Sequence, residues 1–189
     1  MPVWARCAIV SADSPPRLRT LKTALLRLVA LVALSLAPLA LVEASPVKPS
    51  PAPSWSLKDV DGKVVTWAQF KGKVVVIDFW ATWCPPCRTE IPGYIALQKK
   101  YGADGLVIVG ISVDTDGPEV VKKYMKEIGI NYPIVMADDA VQEAFAPIQG
   151  YPTTFIIDRD GRIRNKKLGR EPTAEFEKEL LSILRLPAA

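Results

Sequence analysis

An α/β fold is the class this sequence predicts, and three observations point to it. Lys73 to Phe79, KVVVIDF, is a nearly continuous β-branched run, the composition of a strand buried on both faces. Gly105 to Ser112, GLVIVGIS, repeats that pattern, and a helical register lies between the two. Further on, short strand-like and helix-like stretches keep alternating, which is the signature of interleaved strands and helices around one sheet. The chain has 189 residues, 49% of them hydrophobic, enough for one good core but hardly two.

Taken in order, the first 44 residues read as an export signal. Arg17, Arg19, Lys22 and Arg27 precede the apolar run LVALVALSLAPLALV from Leu28 to Val42, and small residues follow up to Ala44. Charge, apolar run and small-residue site are the three parts of a signal peptide. The alternative is an uncleaved N-terminal membrane anchor, which Arg27 and Pro38 make a poor one, because about 20 apolar residues are needed to span a bilayer. In both cases the remainder is exported, to a periplasmic or otherwise extracytoplasmic space. Residues 45–54, SPVKPSPAPS, hold four prolines and few apolar side chains, so they read as an extended Pro-rich linker. Residues 55–189 form the folded domain.

That domain opens with a hairpin. Trp55 to Val60 and Lys63 to Trp67 flank the turn Asp61-Gly62. After the strand at Lys73 to Phe79, Trp80 to Trp83 form a turn, and Pro86 with Ile91, Tyr94, Ile95 and Leu97 begins a helix ending near Lys99 and Lys100. The strand at Gly105 to Ser112 leads to a helix over Pro118 to Ile128, a short strand from Tyr132 to Met136 and a short helix from Asp139 to Phe145. Gly150 to Asp158 joins a turn to a strand, and Asp160-Gly161 turns the chain into Ile163 to Leu168. Thr173 to Leu184 closes the domain as an amphipathic helix with Phe176, Leu180, Leu181 and Leu184 on one side. No internal repeat is present.

The formal charge of +4 is uneven. Met1 to Ser45 carries five basic and two acidic residues, leaving 19 Lys+Arg against 18 Asp+Glu in the rest. A near-neutral domain argues against nucleic acid as a partner. The chain has no histidine, so imidazole ligands and Ser-His-Asp or Cys-His catalysis are excluded. Arg88 stands where a c-type haem motif needs histidine.

Of the three cysteines, Cys7 would leave with a cleaved signal, and Cys84 and Cys87 remain. Two thiolates are half of a structural zinc set, so no metal is expected. A merely structural disulfide across so short a loop constrains the unfolded chain little. The surroundings favour redox chemistry instead. Cys84 falls at or just before a helix N-terminus, where unpaired N–H groups and the helix dipole stabilise a thiolate, the attacking species in thiol-disulfide exchange. Cys87, three residues on, shares its face and can close back on a mixed disulfide. Cys84 therefore attacks and Cys87 resolves.

Phe70 to Pro92, FKGKVVVIDFWATWCPPCRTEIP, together with the later GYPTTFIID, resembles the TlpA/ResA-like thiol-disulfide oxidoreductases of the thioredoxin superfamily, a redoxin or AhpC/TSA-like domain. The resemblance runs from about Ser54 to the end. It implies a thioredoxin fold with an N-terminal β-hairpin and a central helical insertion, here Asp116 to Gly129, and a cis Pro152 beside the disulfide. It matches Asp78 to the buried acid of thioredoxins, placed to exchange the proton of Cys87; the blander alternative is a solvated Asp at a strand end. It matches Glu90 to an acid near the active site; the blander alternative is an exposed helix residue. With two acids near one dithiol, their roles overlap. It also implies a substrate-contacting rim of Trp83, Pro86, Tyr151, Pro152 and Thr153, although Trp83 and Tyr151 would serve equally as core aromatics. Arg88 either supports the thiolate or is solvated, and Pro92 should kink the helix.

The expected activity is reversible dithiol-disulfide exchange on protein substrates, with the Cys84–Cys87 pair as redox group and no bound cofactor. The family implies reduction, as in cytochrome c maturation or related assembly, with a membrane thiol-disulfide electron donor. Membrane contact is expected only through an uncleaved N-terminal segment. Two alternatives differ in class. A thiol peroxidase needs one low-pKa cysteine, and Ala81 holds the place of its usual threonine. A redox-silent scaffold predicts that Cys84→Ser leaves function intact.

Overall fold

In the computed structural model, residues 49–185 are described, and the expected signal or anchor lies outside them. Among the described residues, eight strands and four α-helices follow one another in the order the sequence implies. β1 is Ser50–Pro51, β2 Ser56–Lys58 and β3 Val64–Thr66; a 3-10 turn at Trp67–Phe70 leads to β4, Val74–Trp80. Then come α1, Pro85–Tyr101; β5, Leu106–Ser112; α2, Pro118–Ile128; β6, Ile134–Met136; and α3, Asp139–Ala144. β7, Thr153–Ile157, β8, Arg162–Leu168, and α4, Thr173–Leu184, complete the domain.

Six strands form one sheet in the order β1-β8-β7-β4-β5-β6. β4, β5 and β6 run parallel, while β7 lies antiparallel to β4 and β8 antiparallel to β7. β2 and β3 form the predicted hairpin, joined to the sheet by a bridge between Asp59 and Val135. All seven residues of β4 are buried, as its β-branched composition requires for a central strand.

Side chains alternate across β4 and feed two cores. Val74, Val76 and Trp80 face α1 and α4, where Ile91, Tyr94, Leu97, Phe176, Leu180 and Ile183 meet them. Val75, Ile77 and Phe79 face the hairpin and α3, against Trp55, Leu57, Val141 and Phe145. Asp78 therefore points into the α1 side. On the adjacent strand Gly110 sits opposite Asp78, and a Cβ there would overlap Ile134 and the Trp80 indole, so glycine is what lets the two side chains close over it.

Several expectations need correction. Trp80 ends the strand rather than starting the turn, because its backbone continues the ladder opposite Ser112. Residues 50–52 of the expected spacer are part of the domain. Ser50 and Pro51 pair with Ile163 and Arg162, the Ala52 N–H donates to Gly161 O at 2.8 Å, and Ala52 packs on the second core. Strand pairing uses backbone groups and asks little of side chains, and an edge strand tolerates proline. On α4 the buried stripe is Phe176, Leu180, Ile183 and Leu184, with Leu181 only partly covered. α1 carries Pro92 in its interior and continues to Tyr101, as a kinked helix also would. Among the described residues, no helix is long and apolar enough to cross a membrane.

Candidate active site

Cys84 and Cys87 are joined in a disulfide, with their Cα atoms 5.3 Å apart. The local sequence explains the placement. β4 delivers the chain to the α1 end of the sheet, Ala81 to Trp83 turn it, and Pro85 and Pro86 start the helix where their missing N–H groups cost nothing. Cys84 is the N-cap residue, and its sulfur accepts the Cys87 N–H at 3.3 Å. That contact gives a sulfur at this position one of the helix's unpaired donors.

The turn before Cys84 is braced by a residue the sequence did not single out. The Asp114 carboxylate accepts the Thr82 N–H at 3.0 and 3.2 Å and the Thr82 hydroxyl at 2.5 Å, and the Ser112 hydroxyl donates to it at 2.8 Å. Asp114 follows β5, whose end lies beside the end of β4 in the parallel pair. The only hint in the sequence is a carboxylate just beyond a strand's C-terminal end.

The candidate rim is partly assembled. Trp83 is 59% exposed, and its ring meets Tyr151 edge-on at 6.1 Å, which ties the Pro152 loop to the Cys84 turn. Trp83 is thus a surface aromatic, whereas Tyr151 also packs on both cores and donates its hydroxyl to Gln142. Pro86 is exposed, and the Tyr151–Pro152 bond is cis, as the resemblance implied. The Ala146–Pro147 bond is cis as well, which nothing in the sequence marked. Thr153, expected on the rim, has a buried side chain that donates to Gly150 O at 2.6 Å and so shapes its own loop. Arg88 lies over the Tyr124 ring, 5.5 Å from its centroid, so an aromatic on α2 holds it.

Both candidate acids are buried, Asp78 at 3% and Glu90 at 5% exposure, which excludes a solvated role for either. Asp78 accepts one hydrogen bond, from the Thr154 hydroxyl at 3.2 Å. Burial, reinforced by the Glu90 charge, pushes its pKa up to about 7, against the smaller lowering effects of Thr154 and Lys167. Glu90 is held differently, by the Glu171 N–H at 2.7 Å, by Lys167 at 3.3 Å and by the Tyr94 hydroxyl at 3.4 Å. The Tyr94 and Thr154 hydroxyls are 3.2 Å apart and link the two acids. Burial and the two neighbouring carboxylates raise the Tyr94 pKa well above the usual phenol value, so it stays a neutral donor. Among the described residues, no three or more Cys, Asp or Glu side chains converge in an arrangement that would hold a metal.

A six-stranded mixed sheet with a disulfide at the N-terminus of the helix after its central strand, faced by a cis-proline loop, defines a thioredoxin-superfamily protein. Residues 49–166 match the AhpC/TSA family, and the chain belongs to it. Within that family its relatives are of the TlpA/ResA-like kind. A thiol-disulfide oxidoreductase ResA of Bacillus cereus is 32% identical over 133 residues, covering 70% of this chain and 76% of its own. The thioredoxin-like protein YneN of Bacillus subtilis (strain 168) is 34% identical over 131 residues, 68% of this chain and 76% of its own. Among solved structures, a thiol:disulfide interchange protein of the thioredoxin family from Chlorobium tepidum TLS shares 40% identity at a TM-score of 0.68, covering 74% of this chain and 99% of that one. The protein is a thiol-disulfide oxidoreductase.

Proposed function

We propose that the protein works outside the cytoplasm as a reductant of protein disulfides, using the Cys84–Cys87 pair alone as its redox group. The carrying observation is the N-cap position of Cys84, together with a buried, sparsely bonded Asp78 on the sheet face that α1 covers. In the reduced protein, Cys84 thiolate attacks a substrate disulfide sulfur; a mixed disulfide forms and one substrate thiolate leaves. The Asp78 carboxylate then takes the proton of the Cys87 thiol. Cys87 attacks the Cys84 sulfur, the internal disulfide closes, and the second substrate thiolate departs. The substrate gains two electrons and the protein loses two, so a dithiol donor must restore it. Exposed Trp83 and Pro86, with half-buried Tyr151 against the Trp83 ring, offer apolar contact to an extended substrate segment, while Pro152 is itself buried.

Export rests on the charged-then-apolar order of residues 1–44, and a membrane thiol-disulfide donor follows from the need for electrons in an oxidising compartment. Apocytochrome c or another assembly thiol is the substrate class that fits a reductant there. The relative named ResA and the reductive character of the TlpA/ResA-like group favour this direction.

The test is the Cys84–Cys87 reduction potential, measured against a dithiol buffer on the chain from Ser45 onward so that β1 is kept, with Cys84→Ser and Cys87→Ser as controls. A value near or below about −220 mV is expected of a reductant that must be fed electrons; a value near about −120 mV would make the protein an oxidant instead.

A further inference from the structure

The surroundings of Glu90 and Asp78 divide the work between them. Every polar contact of Glu90 comes from a donor: the Glu171 N–H, the Lys167 ammonium and the Tyr94 hydroxyl. An ionised carboxylate, which only accepts, fits that set. Asp78 has the Thr154 hydroxyl alone.

Lys167 reaches this site from two strands away. The sheet register sets Asp78 opposite Thr154 and Thr154 opposite Lys167, so the three stand in one row across β4, β7 and β8, on the face covered by α1. The Lys167 side chain is 19% exposed. Its ammonium lies 3.3 Å from both Glu90 and Glu171 and 5.0 Å from the centroid of the Phe176 ring. Gly93 makes the approach feasible: a Cβ there would overlap Thr173, and its absence lets the turn carrying Glu171 close on α1.

We infer that Lys167 is a positioning residue of the redox site: it pins Glu90 as a fixed anion beside Asp78, which leaves Asp78 to carry the proton that moves. This rests on the reading of Asp78 as the base for Cys87. The groups facing Asp78 are Glu90 and Tyr94 from α1, Thr154 from β7, Lys167 from β8 and Tyr132 ahead of β6, while β5 presents Gly110 and brings no charge. Glu171, ahead of α4, acts through Lys167. Without the lysine, two carboxyl groups share one buried site with no cation between them, and like charges there cannot both ionise readily. A proton is then retained to higher pH, and Asp78 becomes available as a base only at higher pH.

The experiment follows one turnover of the reduced full-length chain, carrying Cys7→Ser so that Cys84 and Cys87 are its only thiols, with an aromatic disulfide whose thiolate is coloured. The first thiolate reports attack by Cys84 and serves as internal reference; the second reports resolution by Cys87, and its rate is recorded against pH. In the wild type the second phase should fall off on the acid side around pH 7, and Asp78→Asn should abolish that dependence. Lys167→Met should move the fall upward by about one pH unit, about tenfold in rate at a fixed pH on the slope, and Lys167→Arg should restore it. Lys167→Gln, which keeps a donor without charge, should shift it likewise and serves if the methionine variant does not fold. An unmoved slope in the folded Met or Gln variant, with Asp78→Asn still abolishing it, overturns the role of Lys167 and leaves the base reading standing. Persistence of the slope in Asp78→Asn overturns both.

Discussion

Asp78 and Asp158 are both 3% exposed, and they are treated in opposite ways. Asp158, in the turn between β7 and β8, accepts the Asp160 and Arg162 N–H groups at 3.0 and 2.9 Å and pairs with the Arg164 guanidinium. Asp78, in the middle of the sheet, has one hydroxyl at 3.2 Å. A carboxylate saturated with donors serves as a joint between the strand it follows and the strand it precedes. A carboxyl buried with too few donors has lost hydration without full replacement, so it holds its proton more tightly than usual and exchanges it near neutral pH. The contrast separates structural from chemical use of the same side chain.

The largest effect that would test this distinction is expected from Asp78→Asn. Resolution by Cys87 should slow by about 10²-fold at pH 8, read as the second phase of a single turnover. Stability should change the other way. The folded pKa of about 7 lies above the unfolded value near 3.8, so the folded state binds the proton more tightly. The stability tied to this group is present below about pH 4, is lost as pH rises to about 7, and stays lost above it. Asp78→Asn should therefore melt higher than wild type at pH 8, with the difference fading toward pH 4. A lower melting temperature at pH 8 would make Asp78 a structural group after all.

Asp158→Asn should do the reverse. Losing a buried charged acceptor with three donors is expected to cost about 2–3 kcal/mol in denaturant unfolding, while the pH profile of resolution in folded protein stays where it was. A shifted profile would erase the distinction between the two acids. The smallest effect is expected at a third carboxylate, Asp61, which meets Lys122 at 2.6 Å on the open surface, the two side chains being 48% and 50% exposed. Lys122 lowers its pKa, yet solvent screens the pair, and Lys122→Ala should leave both melting and turnover within error at physiological salt. A measurable loss there would mean that burial is not what grades these acids.

Much of this architecture was legible in the sequence because it is local. The β-branched run of β4, the helices at Pro118–Ile128 and Thr173–Leu184, and the hairpin turns follow from periodicity and turn residues, and the structure places them within a residue or two of expectation. The dithiol was legible for the same reason: proline spacing and a strand before it put Cys84 at a helix start. What escaped was set by partners far along the chain. Asp114 braces Thr82 from 32 residues away, and Lys167 meets Glu90 across 77. The edge strand at Ser50–Pro51 escaped because its pairing is made by backbone groups and leaves no side-chain pattern.

By itself, then, the sequence determined the order of strands and helices, the family resemblance and the identity of the redox pair, since each is written in short-range composition and spacing. Only the tertiary structure decided which acid is surrounded by donors and which is buried with a single one. That difference depends on how many donors converge on each carboxyl group. Strand register and helix packing bring those donors together, and neither can be read from neighbours in the chain.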